Sequence, residues 1–424
     1  MKKKLFAIIL CLTMMISLAA SLSEVSFAEG EKGYIVYKEG NDSPIKSLDN
    51  AEEFVNYINE DPFDKNESYT IKMFSDLEIP FEGSELKTIN LNGNITIEGN
   101  GHKITGADGG EQGDRFINII DGNINIKNLN FDGSAKYAGI LSDNTAATRN
   151  SSLKISDCDF NNMKTQDDSK SFDYKDLGGS AISLVNTAIE AKSVNVSNSE
   201  AYYHGGAFYI EVNKEELSAG PYLLQDCNFN KCNANIGGGA LAFRAMEGDF
   251  VDDKEERVEV KGTLYLEGCT IDNCSGNEGG AICLEGPINS TITDYRGFDN
   301  NLNSIEKQSR ISNCTGNEAG AIYSQASQVS ILNKTLINKC RSSEAVIVFA
   351  GSNRNNGKKY NNKDLTIKDS FIQDCDGCAI YMHNGDIVLK KTSIKNCRAN
   401  GSYNSAICVK GWADIDNCIF EKAV

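Results

Sequence analysis

Five prolines and three histidines are all that 424 residues contain. So little proline argues against a disordered linker protein. Basic side chains are also outnumbered: 42 Lys and Arg face 59 Asp and Glu, a formal net charge of −17. That balance lacks the basic footprint that nucleic acid requires and favours a solvated, acidic surface, so acidic partners are disfavoured too. Beyond the N-terminus no run is apolar enough to cross a bilayer. Neither His102 nor His383 comes with a readable catalytic partner, and His204, directly before Gly205-Gly206, reads as a turn residue.

The N-terminus sets the compartment. Lys2, Lys3 and Lys4 precede an apolar stretch over residues 5–22, and Ser26-Phe27-Ala28 supplies the small residues of a cleavage site. This reads as a secretory signal peptide over residues 1–28, with a core too short for an anchor. Cys11 follows Leu10, where a lipoprotein signal would have a small residue. Processing would leave 39 basic against 58 acidic residues and thirteen cysteines.

Repeats then decide the fold. The clearest copies occupy residues 227–243 (CNFNKCNANIGGGALAF), 269–284 (CTIDNCSGNEGGAICL), 310–323 (RISNCTGNEAGAIY) and 158–184 (CDFNNM followed later by GGSAISL), with weaker ones over 335–349, 370–382, 392–409 and 418–423. They share C-x-[FI]-x-x-C, a short turn containing Asn, then G-G-A-[ILF]. Cys232, Cys274, Cys314, Cys340, Cys375 and Cys397 follow one another at intervals of 42, 40, 26, 35 and 22 residues. A shortest period near 22 with variable insertions is the signature of a parallel β-solenoid. In Cys269-Thr270-Ile271-Asp272-Asn273 every second side chain is apolar, as in a half-buried strand. Asn and Gly in the N-x-G-G step then turn the chain.

Phe131, Phe160, Val196, Phe229, Ile271, Ile311, Ile337, Ile372, Ile394 and Phe420 are expected to stack as one inward column. Residues 95–106 and 124–131 alternate in the same way and read as earlier coils. Ahead of them, residues 50–58 carry Phe54, Val55 and Ile58 at helical spacing behind an N-cap at Asp49, a short helix suited to covering the first open edge. The expectation is therefore an all-β chain: a single right-handed parallel β-helix of about 10–13 rungs with a short N-terminal capping helix. Residues 29–90 would hold the cap and first strands. Residues 91–424 would hold the β-helix, without a C-terminal cap, leaving room there for a partner or a further segment.

Gly205-Gly206-Ala207-Phe208, Gly238-Gly239-Ala240-Leu241 and Gly279-Gly280-Ala281-Ile282, with Ala319-Gly320-Ala321-Ile322 close behind, resemble the G-G-A-[ILV] element of chlamydial polymorphic outer-membrane proteins and related bacterial β-helix surface proteins. The family's companion F-x-x-N element is shifted here, because Cys232, Cys274 and Cys314 stand where the family has Asn. The resemblance spans roughly residues 150–410 and implies a surface-exposed, adhesive passenger. Unlike the family, this chain carries no recognisable C-terminal membrane barrel, sorting motif or wall-binding module.

Two readings stay open for the cysteines. Cys232, Cys274, Cys314, Cys340, Cys375 and Cys397 share one position of the repeat and Cys158, Cys227, Cys269 and Cys418 another, as stacked, buried, reduced thiols would. Export and a spacing of about 4.8 Å between coils also permit disulfides between neighbours. Cys375-Asp376-Gly377-Cys378 has the form C-x-x-C, but the column accounts for Cys375.

For function, the polygalacturonase set of Asn-x-Asp, Asp-Asp, Gly-His-Gly and Arg-x-Lys is missing. Asp167-Asp168 and Asp252-Asp253 sit in polar loops. No D-x-[DN]-x-[DN]-G loop occurs, so no catalytic residue, cofactor or metal ligand is assigned. Insertions over residues 211–221, 244–262, 286–308 and 351–363 all follow a G-G-A-I-type strand, and so are expected to project together as a ridge, where repeat proteins often bind. The ridge offers Asp249, Asp252, Asp253, Tyr295, Arg296, Phe298, Arg354 and Tyr360 to a host or neighbouring-cell glycan or protein. The first expectation is thus a non-enzymatic, adhesin-like secreted or cell-surface binding protein. A polysaccharide lyase or hydrolase acting on an extended glycan along the groove, and a purely structural stalk, are its rivals.

Overall fold

The computed structural model describes residues 33–83, 85–109, 111–144, 151–165, 178–212, 222–245, 262–286, 288–298, 304–325, 327–350, 365–383, 385–399 and 406–422. These residues form a parallel β-solenoid with three sheets running its length. One coil shows the plan. Gly262–Glu267 belongs to sheet 1, Thr270–Asp272 to sheet 2, and Ser275–Gly276 followed by Ile282–Glu285 to sheet 3. Sheet 2 has 12 strands, one from each coil. No helix among the described residues is long and apolar enough to cross a membrane.

The inward column forms as the alternation predicts. Phe131, Phe160, Val196, Phe229, Ile271, Ile311, Ile337, Ile372, Ile394 and Phe420 pair in unbroken register. The rings of Phe131 and Phe160 lie 4.4 Å apart and almost parallel. Phe131 through Ile394 are buried, whereas Phe420 in the last described coil is 46% exposed. Each buried side chain of this size contributes roughly 1.5–3 kcal/mol. Beside the column, the thiols of Cys232, Cys274, Cys314, Cys340, Cys375 and Cys397 touch one after another. The thirteen described cysteines are free thiols, eleven of them buried.

The corners differ from the expected chemistry. Left-handed backbone falls on the residue just before the second cysteine of the repeat, with φ of 54° at Asn273 and 55° at Asn313 and Lys339. A single Asn, Lys or, at Asp374, Asp thus makes the corner between sheets 2 and 3. Gly239 serves close approach instead, since a Cβ there would meet the Gly280 carbonyl oxygen at 2.3 Å, whereas Gly205 takes the left-handed backbone expected of a turn, with φ of 63°.

At the N-terminal end the helix runs Ala51–Asn59, and its N-cap is Asn50 rather than Asp49. Asn50 accepts a bond from Glu53 N at 2.9 Å, which makes it the cap and fixes the start one residue later, while the Glu53 carboxylate accepts from Asp49 N just ahead of it. Phe54, Val55 and Ile58 are buried. Asn59 donates to Thr88 O and accepts from Asn90 N, closing the first strand of sheet 3, Ile89–Asn92. Tyr34–Lys38 pairs antiparallel with Ser68–Met73 and covers the first edge of sheet 1.

Candidate functional site

Outward residues of sheet 2 build an extended polar groove. In each short strand the middle residue points into the core, so its two neighbours face out. Successive coils present Asn228 and Asn230, Thr270 and Asp272, then Arg310 and Ser312. The corner residues Lys231, Asn273 and Asn313 stand alongside. Together they line an open cavity of about 400 Å³. A second, of about 330 Å³, is lined by Asn273, Asn313, Thr315, Lys339, Arg341, Asp374 and Asp376. Sharing Asn273 and Asn313, the two cavities form one groove across five coils.

Its floor is organised by carboxylates. Asp272 accepts from Ser312 Oγ at 2.6 Å, and from the side-chain amides of Asn313 and Asn273 at 2.7 Å each. Lys231, Arg310, Lys339 and Arg341 nearly balance Asp272, Asp374 and Asp376. On a chain with net charge −17 that local balance is distinctive. Groups of this kind offer many hydroxyl- and amide-directed hydrogen bonds without a strong field of either sign.

A second concentration of polar side chains lies further along the same coils, against the outer face of sheet 3. Tyr209, Ala242, Cys283 and Tyr323 align there in register, followed two residues on by Glu211, Arg244, Glu285 and Gln325. Tyr209 donates its hydroxyl to Glu211, and Arg244 pairs with Oε2 of Glu285. Cys283 Sγ donates to Glu278 Oε2 at 3.1 Å and lies 4.0 Å from Glu285 Oε1. His204 joins from the preceding bend; one ligand atom from each of His204, Glu278 and Glu285 lies within 4.8 Å of the others. Burial sets the protonation here. It lowers the His204 imidazole to about 4, helped by the Arg244 charge. Burial raises Glu278 to about 7 against the Cys283 bond, with the charges of Glu285 and Glu318 adding to the rise. The Cys283 thiol is pushed well up for the same reason. Neither Glu278 nor Glu285 lines the groove.

The expected ridge is only partly visible. Asp249, Asp252, Asp253, Arg354 and Tyr360 lie outside the described residues. Glu211 and Arg244 belong to the strands Phe208–Val212 and Leu241–Ala245, not to loops. The insertion at 286–308 is not equivalent to the others. Ile288–Thr293 is the sheet 1 strand of its coil, paired with Gly262–Glu267, because Ile288, Ser290 and Ile292 alternate inward. The extra residues form an antiparallel hairpin of Tyr295–Phe298 and Ser304–Lys307 between sheets 1 and 2. Tyr295, Arg296 and Phe298 therefore lie between sheets 1 and 2, whereas the insertions expected after Glu211, Arg244 and Gly351 fall largely outside the described residues. Tyr295 is half-buried, and Lys307 of the hairpin pairs with Asp226.

Both concentrations escape the repeat-based reading. The groove residues occupy the variable positions flanking the inward [FI], and a column of such positions was the available signal. No family model and no curated protein matches the chain.

Proposed function

We propose that the protein is exported and acts as a non-enzymatic, adhesin-like binding protein that holds an extended, uncharged polysaccharide along the groove of sheet 2. The carrying observation is the groove's continuity across five coils, with Asn273 and Asn313 common to both cavities. A floor of amides, hydroxyls and balanced charges suits sugar hydroxyls, which need many modest hydrogen bonds rather than one strong ionic contact. The leader-like N-terminus and the likeness of the repeats to surface β-helix passengers support the same reading. The groove stands beside the loop ridge as a binding surface, and five of the ridge's eight residues lie outside the described residues.

A glycan-array screen followed by titration of the best polysaccharide tests this. Binding without release of reducing or unsaturated sugar is expected. Sugar release would replace the reading with a carbohydrate-active enzyme, and binding to no glycan would reject it.

A further inference from the structure

We infer that His204, Glu278 and Glu285 form a divalent transition-metal site, with zinc the best-matched ion and Cys283 completing the donor set. Three observations converge on it. First, one ligand atom from each of the three residues lies within 4.8 Å of the others. Ligands 2.0–2.1 Å from a tetrahedral centre stand about 3.4 Å apart, so closure needs side-chain shifts of about 1 Å or a little more. Second, Cys283 Sγ already lies 3.1 Å from Glu278 and 4.0 Å from Glu285. This cysteine belongs to neither inward column; it aligns with Tyr209, Ala242 and Tyr323 on the outer face of sheet 3. Third, Arg244 engages Oε2 of Glu285 and leaves Oε1 on the Cys283 side. A hydrogen-bonded carboxylate is the supporting arrangement metal ligands commonly have.

An imidazole with a thiol selects zinc over calcium or magnesium, which favour all-oxygen shells. The ligands also come from non-adjacent coils. His204 lies two coils before Glu278, with Gly237 between them: Gly237 N bonds Tyr203 O and Glu278 N bonds Ile236 O. A Cβ on Gly237 would strike the imidazole. In a solenoid each coil otherwise contacts only its neighbours. A metal here would pin three coils together.

The test is a titration of chelator-treated, dialysed protein with zinc by calorimetry and with cobalt(II) by visible absorption. One high-affinity equivalent is expected, with a thiolate-to-cobalt charge-transfer band and a rise in Tm on loading. H204Q and E278Q, confirmed as folded by circular dichroism, are expected to weaken that equivalent about 100-fold or more, while H102Q and H383Q leave it intact. Absence of a high-affinity equivalent in the wild-type protein would overturn the site, and so would unchanged binding in a folded H204Q or E278Q. None of these readouts involves a glycan, so the outcome is separable from that of the groove.

Discussion

A Cβ on Gly237 would stand 2.3 Å from Nδ1 of His204, so the imidazole holds its place only because the coil below carries no side chain there. Replacing Gly237 with Ala is therefore expected to displace the ring. In the zinc titration G237A should lose at least about tenfold in affinity, the loss typical of disturbed support around metal ligands. Unchanged affinity would mean that His204 is not a ligand.

Phe229 tests the column that organises the fold. It is fully buried and meets Phe208 edge-on at a centroid distance of 5.1 Å. F229A should cost about 3–5 kcal/mol in urea unfolding monitored by circular dichroism. F420A, at the half-exposed end of the same column, should cost less than half as much.

The thiols give a chemical reading of burial. Cys408 and Cys418 are partly exposed, and the other eleven described cysteines are buried. Burial pushes the Cys158 thiol up to about 12, and thiolate is the reactive form. Alkylation of native protein followed by peptide mass spectrometry should mark Cys418 and Cys408 first. All thirteen should become available to Ellman's reagent in denaturant without reductant. A lower count would show disulfides between coils.

Asp272 holds the groove floor through three side-chain donors. D272A should weaken glycan binding about tenfold, as loss of one or two hydrogen bonds to a charged group would, with Tm little changed. An equal effect from D414A, in the strand Ala413–Asp416 of sheet 1, would place binding elsewhere.

The fold was legible because a constant offset from cysteine to [FI] survives every insertion. Phe229, Ile271 and Ile311 could be placed in register from spacing alone, and the structure pairs them so. The corner chemistry was harder. Asn273 and Lys339 take the same left-handed φ, and lysine carries no turn signal. Glycine in G-G-A reads as a turn residue, which holds at Gly205 with its φ of 63°, whereas at Gly239 the missing side chain admits the next coil's backbone. Spacing alone does not separate the sheet 1 strand Ile288–Thr293 from the insertion after it, so the edge that carries Tyr295–Phe298 is not legible in the sequence. Least visible was the grouping of His204 with Glu278 and Glu285, which requires knowing how many residues each intervening coil consumes. His204 looked like a turn residue because the bend before a G-G-A strand is where such residues sit.

A groove that binds an extended glycan must respond to the length of the chain it holds. Five coils at about 4.8 Å each place the groove's outer coils about 19 Å apart. Calorimetric titration with a size series of the best-binding oligosaccharide should show affinity rising with length until the oligomer spans that distance, then levelling off. Affinity already complete for a mono- or disaccharide, or absent for every length, would rule out binding along the groove.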